Sequence, residues 1–170
     1  MRTVYFFITS FLLFQSMQLG AQRESVSFSG VHELSAIDSI IHRYEELDQV
    51  CNALRAEIHK ADLLDQRAKY DRSIALLKRL SDNFPTQCDS VLLLRGYKQL
   101  TSTYLSVKRY DQVDSIIIKI RKTFPPSLFE TNAYFGLLNN RAYAYFYSDQ
   151  VDSAITKFHR IRALWNPGLD

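Results

Sequence analysis

Two stretches, YDRSIALLKRLSDNFP at 70–85 and YDQVDSIIIKIRKTFP at 110–125, stand 40 positions apart, and both open on Tyr-Asp and close on Phe-Pro. A shorter word, DQVDS, also occurs twice, at 111–115 and 149–153, 38 positions apart. The second copy runs on as DQVDSAITKFHRIRALWNP. Within these words apolar residues recur every three or four positions, as at Ile74, Leu77 and Leu80, which lines one face of a helix. A helix pair recurring every 38–41 residues constrains the fold severely. One such hairpin cannot bury its apolar face alone, whereas stacked neighbours bury it between them. The expected fold class is therefore all-α.

The spacing predicts the remaining helices. Ile37, Ile40/Ile41, Tyr44, Leu47, Cys51, Leu54, Ile58 and Ala61 follow the helical period. No Gly or Pro interrupts Val31 to Phe84, so this stretch reads as one long helix or as two with a break whose place is not marked. Helices are then expected over Tyr70–Asn83, from an Asp89 cap to about Val107, and over Gln112–Lys122. Ser127 and Glu130 have the spacing of a capping box for a helix running to about Tyr147. A last helix is expected from Gln150 to about Trp165.

These units resemble tetratricopeptide (TPR) repeats. Residues 97–125 supply Tyr97, Leu100, Thr101, Tyr104, Tyr110, Val113, Ile117, Ile120 and Pro125 at the pattern's large, small, aromatic and closing positions. Residues 138–167 supply Leu138, Ala142, Tyr145, Val151, Ala154, Phe158 and Ile161, with Pro167 one place late. Residues 54–85 match more thinly, through Ala61, Leu64, Tyr70, Ser73, Leu77, Leu80 and Pro85. The period exceeds the usual ~34 residues, which lengthens the loops between units. The resemblance, which covers roughly residues 54–167, implies a right-handed helical-hairpin solenoid of about three repeats, preceded by an N-terminal helix from Leu34, the whole forming one domain over residues 34–167. It also implies that first helices line a concave groove for an extended peptide or a partner helix. By position, Arg95, Lys98 and Ser102 would line its middle, and Asn139, Tyr143, Phe146 and Tyr147 its end. Tyr suits recognition, being rigid and apolar with a polar tip. The competing assignment for each ring is ordinary core packing.

Residues 1–21 have a different character: Arg2, an apolar run from Val4 to Phe14, then Gly20 and Ala21. That order is a secretory signal, too short for a ~20-residue membrane span. An exported chain is expected, periplasmic or extracellular after cleavage, with residues 22–33 a loose leader. Membrane contact would come only through an uncleaved signal. Export permits a disulfide, but the spacing of Cys51 and Cys88 leaves a bridge and two separate thiols both open. Asp-Ser followed by an apolar residue, at 38–40, 89–91, 114–116 and 152–154, resembles a short O-glycosylation signal of exported bacterial proteins; helix-start preference explains it more simply.

Catalytic signatures are sparse. The five Gly are scattered, so no phosphate-cradling loop is formed, and the Cys do not have zinc spacing. His42 and Glu46, at i,i+4, read as a solvated pair rather than a metal site, since no third ligand clusters with them. A net charge of +3 is too small and dispersed for nucleic acid. The expectation is a scaffold without catalysis, cofactor or metal, binding a protein or peptide, with self-association through the C-terminal helix pair as a further possibility. The alternatives are a sensory or regulatory segment of a larger membrane-linked signalling protein, and an enzyme whose site leaves no mark on the sequence.

Overall fold

A computed structural model describes residue 28, residues 30–85 and residues 87–164. The signal-like stretch, Trp165 and Pro167 lie outside the described residues. Among those described the chain is all-helical. Seven α-helices follow in order: α1 Leu34–Glu46, α2 Val50–Gln66, α3 Tyr70–Asp82, α4 Ser90–Ser106, α5 Tyr110–Thr123, α6 Asn132–Tyr147 and α7 Val151–Leu164. A short 3-10 helix, Pro126–Glu130, precedes α6. The uninterrupted stretch before Tyr70 thus holds two helices, broken at 47–49.

Four turns share one construction. Asp48, Ala68, Lys108 and Asp149 have φ of 54°, 55°, 60° and 60°, the left-handed region, although none is Gly. At each, the left-handed residue's N–H reaches back three residues, as from Ala68 to Asp65 O at 2.9 Å. The next N–H reaches back five, as in Gln49 to Tyr44 O, Lys69 to Leu64 O, Arg109 to Tyr104 O and Gln150 to Tyr145 O, at 2.8–3.0 Å. This is the Schellman ending, which satisfies the last carbonyls of one helix and starts the next within three residues. It needs a left-handed residue, and Asp tolerates that better than Ala or Lys. With no Gly to mark it, the break at Asp48 falls where the sequence left one helix or two both open, whereas the turn at Ala68 precedes the helix expected from Tyr70.

The turns also set the true register. Ala68, Lys108 and Asp149 are equivalent, 40 and 41 residues apart. Asp111 lies in the first turn of α5, whereas Asp149 is itself the left-handed turn residue; Asp152 is the equivalent of Asp111. The two DQVDS words are therefore three residues out of phase. The packing positions do correspond. Ala61, Thr101 and Ala142 are each fully buried, and so, to within 1%, are Ser73, Val113 and Ala154. Small residues at these points let each helix approach its partner. Where they are polar they are satisfied: Ser73 Oγ donates to Ala61 O at 3.2 Å, and Thr101 Oγ1 to Lys98 O at 2.9 Å.

α2, α4 and α6 lie side by side in chain order, α3 packs on both α2 and α4, α5 on both α4 and α6, and α7 on α6. One core joins Ala61, Leu77, Leu100, Tyr104 and Val113, and the next joins Leu94, Tyr97, Ile117, Ile120 and Leu137. Phe158, expected in the core, is only partly buried and meets Tyr143 edge-on at 5.2 Å. The described end of the leader is anchored: Phe28 stacks on His59 at 5.6 Å, and His59 Nε2 donates to Val31 O at 2.9 Å.

Asp89 caps α4, its Oδ1 accepting from Val91 N at 2.9 Å. The expected Ser127/Glu130 capping box is not formed. Pro126 opens the 3-10 helix that absorbs both residues, and Thr131 becomes the N-cap of α6, its hydroxyl accepting from Tyr134 N at 3.3 Å. α5 starts at Tyr110 rather than Gln112. Cys51 and Cys88 are bridged, their Cα atoms 5.5 Å apart, among Leu54, Leu92 and Phe84.

Candidate functional site

The first helices α2, α4 and α6 present the surface on which the expected groove residues fall. The close seam between α4 and α6 is built around Gly136. A Cβ there would stand 2.7 Å from Lys98 Cε, so the lysine stem lies directly across this backbone. Asn140 fastens the seam, its Nδ2 donating to Lys98 O at 3.1 Å and to Thr101 Oγ1 at 2.9 Å.

The expected residues divide between two openings. Arg95 and Lys98, both exposed, line a recess of about 920 Å³ with Ile58, Gln99 and the start of α6. Gln99 is held there by Asp65, whose Oδ2 accepts from Gln99 Nε2 at 2.8 Å. Asp65 Oδ1 is buried without a hydrogen-bond partner. Ser102, Tyr143 and Tyr147 line a second recess of about 540 Å³ with Leu105, Lys108 and Tyr110. Asn139 is half-buried and lines neither; its neighbour Asn140 takes the place expected of it. Phe146 lines neither, but it is 49% exposed and lies against Tyr147, ring centroids 5.5 Å apart.

The second recess is bordered by a connected set of rings. Tyr147 stacks on Tyr110 and on Tyr143, each at 6.2 Å, and Tyr143 continues to Phe158. Tyr143 and Tyr147 remain 40% and 55% exposed, so these are not core fillers. Tyr110 and Lys108 reach the recess from the turn before α5. Their role is invisible in the sequence because Tyr110 occupies a position that the repeat pattern already explains as packing. Ser102, Asn140 and the tyrosine hydroxyls supply hydrogen-bonding groups beside these apolar faces, an arrangement suited to contact.

His42 faces Glu46 at 3.4 Å on the exposed side of α1, a surface pair. Among the described residues no group of three or more His, Cys, Asp or Glu is placed to hold a metal ion. Nor is any described helix long and apolar enough to cross a membrane. No protein-family model matches this chain, and neither does any curated protein or any solved structure.

Proposed function

We propose that the chain is an exported, non-catalytic scaffold of three tetratricopeptide-like repeats, α2–α3, α4–α5 and α6–α7, that holds a protein or peptide against its first helices. The small buried residues at equivalent positions, the shared turns and the side-by-side first helices support the repeat reading. The Cys51–Cys88 bridge suits an oxidising compartment. The observation that carries the binding role is the exposed ring set Tyr143, Phe146 and Tyr147 beside Ser102 and Asn140. Exposed aromatics joined into one patch are costly to leave in water and characterise contact surfaces.

A photo-crosslinking residue at position 143, activated in the source cell, tests this reading, with the same residue at exposed position 118 on α5 as control. A discrete foreign protein captured from 143 and not from 118 is expected. Equal capture from both, or none from 143 in a folded chain, would sink it. A self-adduct would favour the second reading, assembly through the last helix pair, for which exposed Phe146, Val151 and Ile155 are the motive.

A further inference from the structure

A recess of about 520 Å³ lies between the 3-10 helix, α6 and α7, lined by none of the residues of the two openings on the first helices apart from Glu130. Its surface is apolar at Phe129, Leu138, Ile161 and Leu164, and four cations ring it: Arg121, Arg141, Lys157 and Arg160. Two carboxylates oppose them. Glu130 lines the recess, and Asp114 accepts from Arg141 Nε at 2.5 Å and from Tyr145 OH at 3.3 Å. Among the described residues Arg121 Nε donates to a neutral group, Tyr134 OH, at 3.0 Å. Lys157 Nζ stands 3.8 Å from the Tyr145 ring centroid. Among the described residues neither Lys157 nor Arg160 has a carboxylate in ion-pair contact.

The preceding helix pair shows what this place holds when it is only packed. At the 41-residue spacing of Lys108 and Asp149, Leu138 corresponds to Tyr97, Arg141 to Leu100 and Lys157 to Ile116. Tyr97 and Leu100 are buried, with Tyr97 edge-on to Phe124 at 6.5 Å, and Ile116 packs against them. In the last pair an apolar filling has given way to a smaller residue and two cations. Arg141 is accounted for by its pair with Asp114, which leaves Lys157, lying on the Tyr145 ring, as the exchanged cation without a carboxylate in ion-pair contact among the described residues. Burial pushes the Lys157 amine down from its usual range, the nearby Arg141 pushes it further, and Asp114 draws it part of the way back. An anion set between Lys157 and Arg160 would favour the charged form of that amine.

We propose that this recess binds a free organic acid, its carboxylate among Lys157, Arg160 and Arg121 and its apolar chain or ring on Leu138, Ile161, Leu164 and Phe129. The volume and the mixture of apolar wall with few convergent charges are those of a small-ligand site. An extended peptide fits less well, because the helices around the recess have paired backbones and offer no strand edge.

Calorimetric titration of the mature chain with decanoate, decanol and acetate tests this, using decanoate below its micelle concentration. Saturable one-to-one binding of decanoate is expected, at least tenfold tighter than decanol or acetate. Lys157→Met with Arg160→Gln should weaken decanoate at least tenfold and leave decanol and thermal stability unchanged. Should that double variant fail to fold, Arg160→Gln alone, on the exposed face of α7, should still weaken decanoate several-fold. No saturable decanoate binding, equal affinity for decanol, or full affinity in the variants would each overturn the assignment. Tighter binding of an acetylated pentapeptide ending in Leu than of decanoate would overturn the free-acid form of it.

Discussion

Ala68 keeps a left-handed backbone on an exposed turn, where its Cβ gains nothing from packing. For an L-residue that conformation costs about 1 kcal/mol or more. Ala68→Gly is therefore expected to stabilise the chain by about 0.5–1 kcal/mol, read from the urea midpoint. Unchanged or lower stability would mean that the added freedom of the unfolded chain outweighs the relief. Glu57 poses the opposite problem, a carboxylate held in the wrong medium. Burial raises its pKa, and the Arg79 contact draws it only part of the way back. The folded form thus keeps this proton to a higher pH than the unfolded form does. Stability should fall as pH rises from about 4.3 through the raised value, with the loss complete above it. Glu57→Gln should flatten that slope and melt no lower than the parent at neutral pH. A clear loss of melting temperature there would show that the Arg79 pair outweighs desolvation.

At the scale of the element, α6 begins where its cap is. Thr131→Ala should cost about 1 kcal/mol, whereas Ser127→Ala should change stability by less than about 0.5 kcal/mol, both by chemical denaturation. Reversed magnitudes would restore the capping box. The helices themselves were legible because apolar residues at three- and four-residue spacing have to share a face. The 47–49 break was not, because its turn spends Asp48 where Gly is the usual sign. The doubled DQVDS was legible and misleading. Identical letters occupy a helix start once and a turn once, since Asp serves in either place. At the candidate site Ser102, Tyr143 and Tyr147 do converge, while Asn139 yields to Asn140. Adjacent helical residues point about 100° apart, and which of them faces α4 depends on how the two helices cross, which periodicity does not specify. Arg141 and Lys157 passed unnoticed because single cations on amphipathic helices are commonplace, and only comparison with Leu100 and Ile116 in a packed pair sets them apart.

For the molecule as a whole the bridge between Cys51, in the first turn of α2, and Cys88, just before α4, fastens the beginnings of two neighbouring first helices. It closes a loop 37 residues in span, so reduction or a Cys51→Ala/Cys88→Ala pair should remove roughly 2–4 kcal/mol, seen as a lower urea midpoint in reductant. A midpoint indifferent to reductant would show that the helix contacts around Leu54 and Leu92 hold that end unaided. The remaining helix pairs, α4–α5 and α6–α7, lie beyond the loop that the bridge closes. Under load the two parts of the chain therefore behave differently. Pulled by its ends, the oxidised chain withholds the segment between the two sulfurs from the tether, about 130 Å of contour at ~3.5 Å for each of its 37 residues. Force passes along the covalent short-cut, leaving α2 and α3 slack while α4 to α7 pull apart. In a force-extension trace, a thiol reagent would lengthen the final tether by that one step, making redox potential the setting of how far this molecule can be drawn out.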